Sequence, residues 1–116
     1  MKIEPGQQYE VKFPFVVSTY TVWDEDGEHE EPTWKPGCRE EFYSPEDTEF
    51  VADAEGEMIL TVVDVHKPGH YPERVFYTRK WRDPEGNVFG ATKLHITTTS
   101  TFKRRARGYY YPYRVL

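Results

Sequence analysis

The residues with the clearest chemical potential lie near the C-terminus. The stretch from Phe102 to Tyr113 holds four cations followed by four tyrosines. Cationic side chains neutralise phosphates, and aromatic rings offer faces on which bases stack. If the segment is an extended strand, alternate residues share a face that runs from cations into tyrosines. The residues predicted to bind nucleic acid here are Lys103, Arg104, Arg105, Arg107, Tyr109, Tyr111 and Tyr113.

Three further cations, Arg79, Lys80 and Arg82, lie on the preceding predicted hairpin and would widen this surface. Three other readings of the C-terminal segment stay open. The tyrosines could pack on the core, the cations could pair with the acidic part of the chain, or the last dozen residues could form a disordered tail. A bulge at Gly108 would shift the alternation by one residue.

A second charged cluster lies in the first half of the chain and has the opposite sign. Six carboxylates fall within eight residues, a density that can imitate the charge of nucleic acid and occupy a basic groove on another protein. The sequence therefore also permits a protein-interaction or inhibitor domain acting through this cluster. Its residues are Asp24, Glu25, Asp26, Glu28, Glu30 and Glu31.

Signals for catalysis are weak, so an enzyme of unrecognised type is the third hypothesis. His66 and His70 are four residues apart, but Pro68 and Gly69 between them exclude a shared helix face. Cys38 has Arg39 beside it and no surrounding motif of a nucleophilic cysteine. No phosphate-binding loop or nucleophile elbow is present, and we expect neither a metal nor a cofactor.

Length and charge describe a small protein with an uneven charge distribution. The chain of 116 residues is long enough for one domain with its own core, and a single cysteine excludes an internal disulfide. Residues 1–58 carry a net charge of −12 and residues 59–116 a net charge of +7. No apolar run is long enough to span a bilayer. We expect a cytoplasmic protein that does not bind membranes. The sequence does not indicate its oligomeric state.

The apolar pattern predicts strands. Apolar residues alternate along Tyr9–Trp23, where Pro14 predicts an edge strand or a break. Met58–His66 predicts a central strand. Residues 74–82 and 87–101 predict a β-hairpin around a loop at residues 83–86.

Residues 24–57 are predicted to be a long acidic connection. Ser44 and Pro45 resemble a helix start, which favours a short helix to about Ala54. The alternative is a strand at residues 50–52. Together these elements predict one mostly β domain, a small antiparallel sheet or incomplete barrel of the SH3-like or OB-like kind with at most one short helix, and a basic, tyrosine-rich strand or tail at residues 102–116.

Overall fold

The computed structural model describes residues 2–42, 48–90, 93–108 and 113–116, with backbone alone at 40–42 and 48–49. Strands dominate these ranges, and one short helix lies near the C-terminus. The strands are β1 (Gln8–Asp24), β2 (Gly27–Pro36), β3 (Arg39–Phe42), β4 (Thr48–Ala52), β5 (Ala54–His66), β6 (Arg74–Arg82), β7 (Val88–Phe89), β8 (His95–Thr98) and β9 (Arg114–Val115), and the helix is α1 (Thr99–Ala106).

The main sheet is antiparallel and curls into half a barrel. Its strand order is β2-β1-β5-β6-β7, and β8 also pairs with β6. β5 lies between β1 and β6, so the prediction of a central strand is confirmed. The mostly β, incomplete-barrel fold is confirmed as well. The predicted loop between β6 and β7 forms around Asp83, whose Oδ1 accepts hydrogen bonds from the backbone N–H groups of Glu85 and Asn87 at 2.9 Å each.

β1 is one continuous strand in the interior of the sheet, where an edge or a break was predicted. It pairs with β5 through Phe15 and with β2 from Phe15 onward. Pro14 therefore lies where the neighbouring strand changes. Its missing N–H removes little from the ladder there, and its carbonyl oxygen still accepts a 2.8 Å hydrogen bond from the N–H of Gly37.

The core lies on the concave face of the main sheet. Odd residues of β1 and β6 and even residues of β5 share this face, as the pairing register requires. Gly56 has no room for a side chain because a Cβ there would lie 2.5 Å from a ring carbon of Phe15. The buried cluster consists of Ile3, Val11, Phe13, Phe15, Met58, Leu60, Val62, Val75, Tyr77 and Phe102.

A second, small sheet has the order β3-β4-β9 and occupies the region where a helix was favoured. Residues 48–52 form β4, so the helix to Ala54 is wrong over these residues, whereas Ser44 and Pro45 lie outside the described residues. Val51 and Ala52 are almost completely buried. Their burial stabilises a strand more than the local capping pattern stabilises a helix.

The basic C-terminal segment begins as a helix, so the prediction of a strand from residue 102 is wrong. The Oγ1 of Thr98 accepts a hydrogen bond from the N–H of Thr101 and caps α1. Gly108 follows the last turn with a φ of 87°, a conformation that ends many helices. Phe102 is fully buried and holds the helix on the concave face of the sheet.

The acidic region is mostly strand rather than connection, and part of it projects from the molecule. Residues 17–34 of β1 and β2 pair only with each other and form a two-stranded hairpin, here called the acidic arm. The radius of gyration is 17.7 Å, against about 13 Å for a compact chain of this length, and the longest dimension is 60 Å. The arm accounts for much of this elongation.

Candidate functional site

The helix α1 displays the basic cluster that the sequence singled out. Lys103, Arg104 and Arg105 occupy its last turn, and Arg107 is its C-terminal cap. Cations near a helix C-terminus interact favourably with the helix dipole, which offsets their mutual repulsion across one turn. Arg104 and Arg107 are exposed. The helix therefore replaces the predicted strand as the element that presents these charges.

Tyr77 connects the helix to the sheet. Its ring is buried, stacks on His95 at 5.4 Å and meets Phe102 edge-on at 5.2 Å. Its hydroxyl oxygen accepts a 2.6 Å hydrogen bond from Nη1 of Arg105. Arg105 is therefore oriented by the core instead of moving freely in solvent.

The pKa of His95 reflects both its burial and the cations around it. Partial burial lowers its pKa, and the nearby charges of Arg79, Lys93 and Arg105 lower it further because they disfavour a second positive charge. β6, the segment before β8 and α1 thus bring Arg79, Lys93 and Arg105 close to His95. We call these four residues and the other cations at the end of α1 the cationic surface, which consists of Arg79, Lys93, His95, Lys103, Arg104, Arg105 and Arg107.

Sequence reasoning missed Lys93 and His95 as members of this surface. The available signal was the predicted hairpin of residues 74–82 and 87–101, but only the observed register of β6 with β8 sets Tyr77 opposite His95. Arg79, two residues farther along β6, was predicted to belong to the surface, and it also lies over the ring of Trp81 at 5.8 Å. That contact holds a guanidinium against an aromatic face.

Two predicted members lie on the other face of the sheet. Lys80 and Arg82 alternate with Arg79 along β6, so they point away from the concave face that α1 covers. Arg82 contacts the carboxylates of Glu10 and Glu57, and these contacts raise its pKa. The charge of Arg82 is therefore largely neutralised on its own face.

Tyr113 is the one tyrosine of the predicted stacking face that lies within the described chain. Tyr109 and Tyr111 lie outside the described residues. Tyr113 is half-buried and donates a 2.8 Å hydrogen bond from its hydroxyl to Glu55. Burial and this bond raise its pKa. Tyr113 therefore links the C-terminal segment to β5 through this hydrogen bond.

The acidic arm has two different faces. On one face, His29 bridges the carboxylates of Asp24 and Glu31 at 3.3 and 3.0 Å, and the hydroxyl of Tyr20 donates to Glu31. The hydrogen bonds from His29 and Tyr20 lower the pKa of Glu31. The carboxylates of this face are thus occupied within the arm, and Asp24 also accepts a bond from the N–H of Asp26 in the turn.

The other face of the arm carries Trp23, Glu28 and Glu30. Trp23 is 75% exposed, and it lies directly opposite Glu28 in the strand register. Within the described chain, neither Glu28 nor Glu30 forms an ion pair. No Lys or Arg occurs between residues 13 and 34, so the carboxylates of this face have no cation on the arm itself.

The acidic arm and the cationic surface are far apart along β1. Val11 and Arg107 line the same shallow groove, whereas Asp24 is at the tip of the arm. Thirteen residues of strand separate Val11 from Asp24, which is about 40 Å. Charges are screened over about 8–10 Å at physiological ionic strength. The described ion pairs join neither region to the other, so the cations of α1 are not neutralised by the arm.

The residues considered for catalysis are not assembled into a reactive centre. Burial raises the pKa of the Cys38 thiol, and the neighbouring Arg39 contacts Asp53 at 2.8 Å. His66 and His70 are both exposed. Across the described ranges, no group of three or more potential ligands is placed to hold a metal ion.

A cleft at the base of the arm has a volume of about 360 Å³. Trp34 and Val17 line one side, and the Asp83 turn lines the other. The Asp83 carboxylate is committed to the backbone and side chain of Asn87. The Asp83 carboxylate therefore stabilises the turn that forms this side of the cleft.

The sequence matches no protein-family model, no curated protein and no solved structure. The helix found within the described residues is too short and too polar to cross a membrane.

Proposed function

We propose that this protein is a non-enzymatic binding module whose cationic surface binds nucleic acid, single-stranded or structured, through its phosphates. The observation that carries the proposal is the convergence of β6, β8 and α1, where Tyr77 stacks on His95 and accepts a hydrogen bond from Arg105. Arg79 lies on the same face of β6 as Tyr77. The exposed Arg104 and Arg107 extend the same surface along α1. A polyanion is the partner that this charge distribution favours.

The arrangement favours backbone contacts over base recognition. Arginine side chains bind phosphate with two parallel hydrogen bonds, and lysine adds charge without a fixed geometry. Arg105 is held by Tyr77, so it meets a phosphate with less loss of side-chain freedom than a free arginine. Among the described residues no aromatic ring of the surface is free to stack on a base, so we expect little sequence preference.

The test is fluorescence anisotropy with a labelled 20-nucleotide oligo-dT, the matching RNA and a 20-base-pair duplex. Binding through about five phosphate contacts should weaken about 100-fold between 50 and 200 mM salt. The double variant Arg104→Glu/Arg107→Glu should lose most of the affinity at 50 mM salt and show a shallower salt dependence. Both side chains are exposed, so the fold should survive.

A matched control separates local from overall charge. Lys35→Glu/Lys67→Glu changes the net charge equally, and both lysines are exposed and lie outside the cationic surface. The control should retain affinity within about threefold, because screening confines the effect of remote charges. Equal losses in both double variants, or binding that is insensitive to salt, would contradict the proposal.

A further inference from the structure

The acidic arm is an unpartnered sheet face. A hairpin of two strands alone is marginally stable in water, and a third strand or a packed surface is usually needed to order it. In this protein the arm has its anchor at its base, where the N–H of Val17 donates a 2.8 Å hydrogen bond to Asp53. Trp34, also at the base, packs against the core cluster. Beyond these anchors the two strands of the arm pair only with each other within the described chain, which leaves the outer part of both faces available to a partner.

The two faces differ in what they offer a partner. The His29 face uses its carboxylates internally, as described above. The Trp23 face presents a large exposed ring beside two carboxylates, Glu28 and Glu30, that lack a cation. Tryptophan and arginine are the residues most enriched at binding hot spots, and an arginine stacks well on a tryptophan ring. This face is therefore complementary to a surface rich in arginine.

Such a surface exists on the same chain. We propose that the Trp23 face of one molecule docks on the cationic surface of a second copy, next to Arg104 and Arg107. The arm provides carboxylates without any Lys or Arg, and the cationic surface provides cations without a described carboxylate partner. The separation of about 40 Å along β1 keeps the two regions from satisfying each other within one molecule.

The predicted contact joins unlike surfaces, so it leaves a free arm and a free cationic surface on every pair. Contacts of this kind continue into rings or filaments instead of closing at a dimer. The arm contains 18 residues, fewer than the 20–30 residues a side of a standard stable interface. We therefore expect weak, salt-sensitive association that grows with concentration.

The inference goes beyond the proposed function but uses the same cationic surface. The docked arm would occupy the groups that contact phosphates, so self-association and nucleic-acid binding would compete. Self-association is nevertheless measurable without any nucleic acid. Failure of one proposal is therefore distinguishable from failure of the other.

The experiment is sedimentation velocity on nuclease-treated full chain from 10 to 300 µM in 25 and 300 mM salt. The wild type should form species larger than a dimer at low salt and dissociate at high salt, with association weakening about tenfold or more. The arm variant Trp23→Ala/Glu28→Gln/Glu30→Gln and the surface variant Arg104→Gln/Arg107→Gln should each be monomeric alone. Their equimolar mixture should give a 1:1 dimer and nothing larger, because only one arm and one complementary surface remain.

Controls address charge and folding. Glu4→Gln/Glu85→Gln removes two exposed carboxylates outside the arm and should associate as the wild type does. Circular dichroism establishes that each variant keeps its strand content. A wild type that stays monomeric at 300 µM in 25 mM salt would overturn the proposal, and so would a mixture of the two variants that stays monomeric. Association that disappears on nuclease treatment would identify nucleic acid as the bridge and would also overturn it.

Discussion

The acidic arm and the cationic surface carry opposite charge, and they are supported in opposite ways. The cationic surface is mounted on the core, because Phe102 and Tyr77 beneath it are buried and Arg105 is bonded to Tyr77. The arm is two strands without a layer behind them, and Trp23 near its tip is largely exposed. The cationic surface is therefore fixed by burial beneath it, whereas the arm beyond its base is held by the hydrogen bonds between its own two strands.

The largest expected difference between the two regions is in stability. Phe102→Ala should cost about 3–5 kcal/mol of the free energy of unfolding, because it removes a fully buried ring and leaves a cavity under α1. Trp23→Ala should change it by about 0.5 kcal/mol or less, because its side chain is mostly in solvent. Urea denaturation of both variants measures the difference. Similar losses would show that the arm packs on the body of the protein.

A smaller effect is expected from pH, and it should appear only at the cationic surface. The pKa of His95 is lower in the folded chain than in the unfolded chain, so the unfolded chain binds more protons just below pH 6.5. The contribution of His95 to stability is therefore present above pH 6.5 and is lost as the pH falls through its folded pKa.

Bound phosphates oppose this loss because they favour the protonated ring. Affinity for oligo-dT should rise about two- to fivefold between pH 7.5 and 5.5. His95→Gln should flatten this rise, whereas His70→Gln, which changes an exposed histidine of the β5–β6 turn, should leave it intact. Anisotropy titrations at constant ionic strength provide the measurement. An unchanged rise in His95→Gln would assign the pH dependence to another group.

The smallest expected effect concerns the arm and nucleic acid in dilute solution. At nanomolar protein, where copies do not meet, Glu28→Gln/Glu30→Gln should change affinity for oligo-dT by less than about twofold, because about 40 Å of strand exceeds the screening length several times. At 100 µM protein the same variant should bind more of a competing oligonucleotide than the wild type. A large gain already at nanomolar concentration would mean that the arm reaches the cations of its own molecule.

The strands were largely predictable from local pattern, whereas the helix was not. Alternation along β1 and the apolar run of β5 reflect burial on the concave face of the sheet, with Ile59 also buried on the other face of β5. The loop at Asp83 follows from turn chemistry. The helix signals were present in Thr98 and Gly108, at its two ends. The β-branched residues before the helix and the like charges within it count against a helix in the local sequence. The helix is stabilised by the burial of Phe102, a tertiary contact that the local sequence does not show.

The candidate site was predicted in part. The chain positions of Arg104, Arg105 and Arg107 identified the basic segment, but a sequence does not show which face of a sheet a residue shares with a distant strand. Arg82 does not belong to the cationic surface, because it lies on the opposite face from Arg79, where it contacts Glu10 and Glu57. His95 joined the surface through strand pairing, a non-local property that residue spacing does not encode.

The uninterrupted path of β1 has a mechanical consequence. Its 17 residues give a strand path of about 56 Å, and they belong to the core at one end and to the arm at the other. The strand changes neighbours near Pro14 without a break, from β5 on one side of this point to β2 on the other. Tension along β1 is therefore carried by the covalent chain and by the hydrogen bonds to β5 and then to β2. In an assembly of copies joined arm to surface, this strand would set the spacing between successive copies, and a pulling force would load the strand lengthwise.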